Sequence, residues 1–472
     1  LSGYSEGELM TGFIAIADET MARAIRKISV KQGYDPAKHD LVSFGGAGGQ
    51  HICGVAQRLG VQKILSPGDS GLLSAYGLSM SRIERVVEQP IYQALSRAEF
   101  VKLEDELIQK NINDIKIYNI GLPLRRTIHM SNITIERSNS ILVRVKSSDG
   151  DFGWGEAAAS LSMTGESSVG MIQAINYMKE ILVGVEIQSY ESISNLVQTS
   201  IYGNAAAKSS IEAALIDLFA RTQKKSFSEI IGKIKRSDLP IIWRIAGSEN
   251  EIEEAKKKRD EGFKAFKIKV GAKTIKEDLQ RAERLRVALG NEVQLTADGN
   301  AGYNRKSALL FCSLIDKAGL DYMEQPVNGY DIKTMKACNE LMSTALSADE
   351  GIHSLEDLSI HKDMNAAEGA SLKLIKFGSI KNLLGAIDFM KDNNMHVNIS
   401  GKAGDSSISA ACIGHISKVV NKLDWFSNVS IQYLADDIIL NPMSIRDGKL
   451  MINPGLGLGV EVDEEKIEKY AI

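Results

Sequence analysis

Lys264-Ala-Phe-Lys-Ile-Lys-Val270 decides the fold. Phe266, Ile268 and Val270 alternate with Lys267 and Lys269, a period of 2 that predicts a β-strand with both lysines on one face. Gly262 precedes it, Gly271 follows it, and helical patterns lie on both sides; this predicts a parallel βα unit rather than an exposed hairpin. Such a strand is buried on both faces, and lysine is almost never buried without a partner or a task. The following strands supply partners. Residues 293–300 carry Asp298, residues 320–326 carry Glu324 and residues 346–350 carry Asp349, each acid closing an apolar run. A further strand over 371–376 carries Lys373. The acids and Lys373 recur about every 25 residues, the length of one unit of a (β/α)8 barrel, in which the C-terminal ends of successive strands converge on one site. Three carboxylates with no histidine or cysteine among them suit a hard, oxygen-seeking cation, Mg2+. Asp298, Glu324 and Asp349 are therefore the candidate metal ligands. Period 2 would put Lys373 and Lys376 on opposite faces of their strand, which favours Lys373 as the site lysine.

The chemistry that these motifs carry by the family resemblance given below is proton removal next to a carboxylate. That step creates a dianionic enediolate, which needs a divalent cation and ammonium groups aligned on the developing charge. A lysine acting as base must be neutral, against an ordinary pKa of about 10.4. Burial beside a second lysine and a dication favours the neutral form, so the Lys267-x-Lys269 pair offers activation as well as a base.

The chain has 472 residues, 44% hydrophobic and 25% charged, with a net charge of −4. That length predicts two or three domains. No basic excess points to nucleic acid and no long apolar run to a membrane. Cys53, Cys312, Cys338 and Cys412 lie scattered in apolar contexts without metal-ligand spacing; with no signal peptide visible, a reducing cytoplasmic location is expected. The expected partner is a small-molecule carboxylate, and a homo-oligomer is compatible with the sequence.

"KIKV" at 267–270, "TADGN" at 296–300, "MEQP" at 323–326, "SADE" at 347–350 and "SLKLIK" at 371–376 occur in one order and spacing. Together they resemble the enolase superfamily, specifically its muconate-lactonizing subgroup, over about three quarters of the chain. Residues 164–166 and 203–208 look most like dipeptide epimerases and related racemases. The resemblance implies a modified (β/α)8 barrel over 239–439, an α+β capping domain over 114–238 and a return to the cap over 440–472. It implies Lys269 as the base on one face of the substrate, Lys373 as the acid/base on the other, and Lys267 on the substrate carboxylate. The favoured reaction is racemisation or epimerisation of an amino-acid derivative or dipeptide; the alternative is syn elimination or cycloisomerisation. Asn300 and Glu350 adjoin the candidate ligands and are expected to orient them. Asp405 stands where family members usually have glutamate, and either a supporting or a plain loop role fits it. Strand 1, over 241–245, ends at the site, so Trp243 or Arg244 is expected to contact substrate, with Trp243 favoured by alignment. Strand 8 is read over 430–434. Dipeptide epimerases carry an Asp-x-Asp there that holds the substrate's ammonium group. This chain has Gln432-Tyr-Leu434, with Asp436 and Asp437 only later.

Residues 1–95 read differently. A helix over 13–30, with Met21, Ile25 and Ile28 on one side, leads to a strand over 41–44, the glycine run Gly45–Gly49 and a helix over 52–59. Strand, glycine loop and helix start make a phosphate-cradle pattern, without the Walker lysine or dinucleotide spacing. "MARAIRKISVKQGYDP", "SFGGAGGQH" and "GLLSAYGL" resemble the hydantoinase A/5-oxoprolinase family. That implies an α/β segment of actin-like ATPase type and, as a third functional alternative, an ATP-coupled lactamase component. Only a C-terminal slice of that family is present, so exposed apolar surface is expected there. Residues 96–113 read as a charged linker helix bearing Phe100, Leu103 and Leu107.

Overall fold

The computed structural model of the chain describes residues 3–43, 48–66, 111–129, 134–245, 247, 250–421 and 423–472. Two compact units emerge, Leu1–Glu88 and Gln89–Ile472. Gly45 to Ala47 of the glycine run, and residues 96–110 of the linker helix read over 96–113, lie outside the described residues, while Ile112 and Asn113 belong to a strand rather than to that helix.

In the first unit a helix spans Glu6–Lys31, longer at its start than the 13–30 read from sequence. Ser5 caps it in a reciprocal box with Glu8, which satisfies two of the amides that a helix N-terminus leaves open. β1 (Leu41–Val42) and β2 (Ile64–Leu65) pair in parallel around the helix Gly48–Leu59. Among the described residues the core here consists of Ala22, Val55 and Leu59, with Ile25, Leu41 and Val61 against them. Ile25 packs as its spacing predicts, whereas Met21 and Ile28 are exposed, as are Met10, Phe13 and Ile16.

The second unit opens with a three-stranded antiparallel sheet, β3 (Ile112–His129), β4 (Thr134–Ser147) and β5 (Phe152–Ala158). Asp149 and Gly150 form the turn between β4 and β5, as the sequence predicts, with Gly150 at φ +99°. The alanine-rich helix Ala205–Thr222 packs across β5. It can do so because β5 presents Gly153 and Gly155. A Cβ at Gly155 would lie 2.0 Å from the Ser210 carbonyl oxygen, and one at Gly153 2.3 Å from that of Ala214. The start of this helix is closed from outside: Asn204 makes no side-chain cap, and Glu166 accepts from the amides of Ala206 (2.8 Å) and Ala207 (3.0 Å). Its far end is fixed by Asp217, which accepts from the amides of Trp154 (2.9 Å) and Leu458 (2.7 Å). The glycine-rich 454–459 stretch is thus a structural tail.

β6 (Leu239–Pro240) belongs to a small antiparallel sheet completed at the end of the chain by β14 (Ser444–Arg446) and β15 (Lys449–Met451). Between them runs a seven-stranded parallel sheet: β7 (Trp243–Arg244), β8 (Ala265–Lys269), β9 (Gln294–Asp298), β10 (Tyr322–Glu324), β11 (Ala345–Ala348), β12 (Gly369–Leu372) and β13 (His396–Ile399), hydrogen-bonded in sequence order. The sheet curls until its outer edges share one neighbour. Ser427 bridges Ile241 beside β7, and Asn428 bridges Ser400 beyond β13, both in parallel. Residues 427–428 thus hold the eighth place. The strand read over 430–434 is corrected, because Ile431–Tyr433 is a 3-10 turn. The strand read over 371–376 also ends early: it stops at Leu372 and continues as the helical turn Leu374–Phe377.

Placing a methyl group at Gly155 or Gly153 should destabilise this unit by about 1–3 kcal/mol, the usual effect of overpacking a tight contact. Thermal unfolding of Gly155→Ala would show a lowered midpoint; an unchanged midpoint would mean that the helix moves aside freely.

Candidate active site

The period-2 reading of β8 holds. Phe266 and Ile268 are buried in the core, and Lys267 and Lys269 share the other face. Register sets Lys269 beside Asp298 and Asp298 beside Glu324 on adjacent strands. Backbone turns of unusual hand follow the acids: Asn300 and Ala301 after β9 and Gln325 after β10 all have positive φ. Left-handed non-glycine residues carry strain and persist only where neighbouring contacts enforce them. At Gln325 those contacts are visible, since its side chain accepts from the amides of Asp349 (2.8 Å) and Gly351 (3.3 Å) and donates to the Val327 carbonyl (2.8 Å).

A cavity of about 380 Å³ opens at this end of the sheet. Lys267, Lys269, Lys373, Asp298, Glu324 and Asp349 all line it, as do Asn300 and Glu350, so these eight sequence-predicted residues are brought together. Ser162 and Met163 reach it from the loop before the first long cap helix, Ser168–Leu182. His353 ties that loop down through a 2.7 Å bond between its Nε2 and the Met163 carbonyl.

Each buried acid is closed on a lysine. Lys267 Nζ donates to Glu324 at 2.5 Å, Lys269 Nζ to Asp298 at 2.5 Å, and Lys373 Nζ to Asp349. Lys269 also donates to Asn300 Oδ1 at 2.6 Å, and Asn300 Nδ2 donates to Glu350 at 3.2 Å. Burial disfavours the charged form of Lys267, but Glu324, Tyr322 and Asp298 outweigh it and hold this ammonium well above its ordinary range. At Lys373 burial is likewise outweighed, by Asp349, Glu350 and Glu324. With no dication on the acids, the buried carboxylates thus keep both of these amines charged. Burial pushes Glu350 up to about 7, and the charges of Asp349 and Asp298 add to the effect.

Lys376 departs from the sequence reading. Because the chain turns helical after Leu372, Lys376 does not point away from Lys373. It is fully buried and donates to the Asp349 carboxylate (2.9 Å), the Asp349 carbonyl (2.6 Å) and the Ser371 carbonyl (3.0 Å). Two lysines thus grip one acid. Trp243 is also corrected: its indole packs against Phe263 and Tyr433 and donates to Glu254 at 2.9 Å, outside the cavity, whereas Arg244 lines it. In a strand adjacent residues face opposite ways, so only one of the two could reach the mouth. Asp405 is buried rather than solvated. It accepts from the Lys402 amide (2.6 Å) and Ser409 (3.0 Å) and lines a small recess next to Lys373. His396 opens β13, at the opposite end from the cavity. Asp436 and Asp437 are bound elsewhere, by Lys466 and Tyr470 and by Ser407. Gln325 and Lys402 were not found from sequence, and Lys376 was set aside there on period 2. Their only signal was proximity to a strand-end acid or lysine.

Among the described residues no three or more His, Cys, Asp or Glu side chains form a ready-made metal cluster; the lysines occupy the acids instead. The donor set still fits a hard divalent ion. It consists of three buried carboxylates on consecutive strand ends, supplying oxygen alone. Burial raises the Glu324 pKa, and the charges of Asp298 and Asp349 raise it further against the pull of Lys267. A dication relieves that like-charge crowding. Removing Lys376 tests how far the acids depend on their lysines. Lys376→Met should destabilise the fold by about 3–5 kcal/mol, as breaking a buried ion pair does, and added Mg2+ should restore part of the loss in thermal unfolding. An unchanged midpoint would show that Lys373 holds Asp349 unaided.

Residues 250–466 match the enolase C-terminal domain-like family, residues 112–232 match the mandelate racemase/muconate lactonizing enzyme N-terminal domain, and residues 6–86 match hydantoinase/oxoprolinase. Among curated relatives, chloromuconate cycloisomerase of Delftia acidovorans is 27% identical over 363 residues, 74% of this chain and 96% of that protein. L-Ala-D/L-Glu epimerase of Clostridium acetobutylicum is 27% identical over 355 residues, 74% and 98% of the two chains. N-succinyl-L-Arg/Lys racemase of Bacillus cereus is 26% identical over 368 residues, 76% and 98%. The muconate lactonizing enzyme of Pseudomonas fluorescens superposes with a TM-score of 0.73 at 26% identity, covering 77% of this chain and all of that one. A cap and a barrel matched in order by the two halves of one family, with lysines and acids gathered at a single mouth, place this chain in the enolase superfamily of enzymes, behind an N-terminal segment that matches hydantoinase/oxoprolinase.

Proposed function

We propose that the chain catalyses Mg2+-dependent removal of the proton α to a carboxylate, and that the reaction is racemisation or epimerisation of an amino-acid derivative by a two-lysine mechanism. The observation that carries this reading is the placement of Lys269 and Lys373. They stand at the ends of β8 and β12, four places apart in an eight-place ring, and both line the cavity. Each therefore addresses a bound carbon from its own side. The names of the epimerase and the racemase among the relatives support the same reaction class.

Asp298, Glu324 and Asp349 would hold Mg2+, which when bound supplies positive charge to the substrate carboxylate as its negative charge grows. Lys267, kept protonated by Glu324, places an ammonium group where that carboxylate needs compensation. Lys373, on the opposite side of the ring beside Asp349, is the second acid/base and delivers a proton to the other face. Lys269 is the more exposed of the two and is fixed between Asp298 and Asn300, so it receives the α-proton from one enantiomer. Return of a proton from the opposite face inverts the carbon. Asn300 and Glu350 steady Lys269 from behind, and Asp405 backs the recess beside Lys373. The cycloisomerases among the relatives favour a second reading, cycloisomerisation or syn elimination, in which only one lysine acts as base.

Three measurements bear on this. Asp298→Asn, Glu324→Gln and Asp349→Asn should each abolish Mg2+-dependent turnover, and full activity in excess chelator would overturn the metal assignment. With substrate in D2O, Lys269→Ala should lose α-proton exchange from one enantiomer and keep it for the other, with Lys373→Ala showing the reverse. Net racemisation should fall by about 10² or more in each, the usual effect of removing a positioned acid or base. If either lysine can be replaced while both enantiomers still exchange, the second reading takes over. Every catalytic candidate lies between Lys267 and Lys373, so a chain beginning at residue 96 should keep its turnover. ATP hydrolysis lost on that truncation would support instead the ATP-coupled lactamase reading.

A further inference from the structure

Lys269 is gripped through its backbone as well as its side chain. It is the last residue of β8, and its carbonyl faces the β7 edge. The Lys267 carbonyl, two residues earlier, accepts from the Ile245 amide at 2.9 Å, and carbonyls two apart on a strand point the same way. At Lys269 the donor is a side chain. Arg281, on the helix Ile275–Leu289 that follows β8, donates from Nη1 to the Lys269 carbonyl at 2.8 Å and from Nε to Glu251 at 2.5 Å. Arg281 is buried, and so is Glu251, which opens the helix Glu251–Asp260 after β7. The loop before that helix packs on the same guanidinium, since a Cβ at Gly247 would lie 3.2 Å from Arg281 Nη2.

One turn earlier on the same helix face, Asp278 accepts from the Gly271 amide at 2.9 Å and from the Tyr303 hydroxyl at 3.3 Å. Asp278 and Arg281 thus hold the chain on both sides of Val270, where β8 ends. A strand end needs its polar groups satisfied to keep a fixed path, and the planar guanidinium fixes both of its bonds in one geometry. That path aims the Lys269 side chain between Asp298 and Asn300. Lys373 is held differently: its carbonyl accepts from the Lys376 amide at 3.0 Å, within its own helical turn.

We propose that Arg281 is a positioning residue for Lys269, acting through the Lys269 carbonyl, so that it serves one face of the reaction and not the other. That Lys269 is a base rests on the proton-abstraction reading; the clamp on its backbone does not.

Acetylation of the full chain with acetic anhydride, followed residue by residue by mass spectrometry, compares Lys267, Lys269 and Lys373 with no substrate present. In Arg281→Met, Lys269 should be acetylated about fivefold faster or more, as expected of a locally released strand end, with Lys267 and Lys373 staying within about twofold. Arg281→Lys keeps a donor and should return most of the difference. Arg281→Met leaves Glu251 buried without this partner, so the double variant Arg281→Met/Glu251→Gln repeats the measurement with that charge removed. Glu251→Gln alone leaves Arg281 on the carbonyl and should label as the wild type does. An unchanged Lys269 rate in the double variant, or an equal rise at all three lysines, overturns the proposal. α-Proton exchange in D2O from N-acetyl-L-alanine and N-acetyl-D-alanine is read separately. Arg281→Met should slow the enantiomer served by Lys269 about tenfold or more and leave the other within about twofold, since a small misplacement of a reacting group is costly; equal slowing of both overturns the proposal. Exchange missing already from the wild-type chain would count against the proton-abstraction reading, and the acetylation rates alone would then decide the clamp.

Discussion

Compensation of buried charge at the mouth of the sheet is the constraint on which the site depends. Asp298, Glu324 and Asp349 are almost wholly removed from solvent, and an unpaired carboxylate there would protonate or disrupt the fold. Lysines solve the problem at hydrogen-bond distance, one each for Asp298 and Glu324 and two for Asp349. The same pairing explains why Lys267 and Lys373 stay protonated despite burial. Any cation bound by the acids must displace or share these ammonium groups, so metal binding and lysine protonation are coupled by construction.

The cap is coupled to the barrel in the same currency of buried polar contacts. Glu212, on the helix Ala205–Thr222, is pushed up to about 7 by burial and accepts from Ser379 (3.1 Å) and the Ile380 amide (3.0 Å), just beyond the turn that carries Lys373 and Lys376. Glu156 on β5 likewise accepts from Ser406 beside Asp405, and burial together with the Asp405 charge pushes it up to about 7. The cap is thus locked, through its helix and β5, to the loops after β12 and β13, the loops that bring Lys373 and Lys402 to the cavity. The glycines of β5 serve this arrangement, because only a strand without side chains there lets the helix sit so close.

The N-terminal unit obeys other rules. Among its described residues the packed core consists of a few side chains from two helices, β1 and Val61, while Met10, Phe13 and Ile16 are exposed. Among its described residues Asp18 is the one buried charge, bonded to His51 at 2.7 Å and near Arg58.

Much of the site could be read directly from sequence, because a strand's period is fixed by backbone geometry. Lys267 and Lys269 had to share a face, and acids at the same place in successive βα repeats had to meet at one end. The order of the strands followed from the same repeat. What the sequence could not decide was where regular geometry stops. Period 2 separated Lys373 from Lys376 only if the strand continued past Leu372; the chain turns helical there, and both lysines meet at Asp349. The choice between Trp243 and Arg244 depended on which face of a two-residue strand turns inward, and the packing of Trp243 against Phe263 and Tyr433 settled it. The eighth place fell at 427–428 instead of 430–434 because closure requires hydrogen bonds to both neighbouring edges, a condition imposed from the far side of the ring. Sequence determined which residues carry the charge and chemistry; tertiary structure alone decided which of those charges find partners and which are left facing the cavity, because pairing depends on distances between strands that local patterns do not encode.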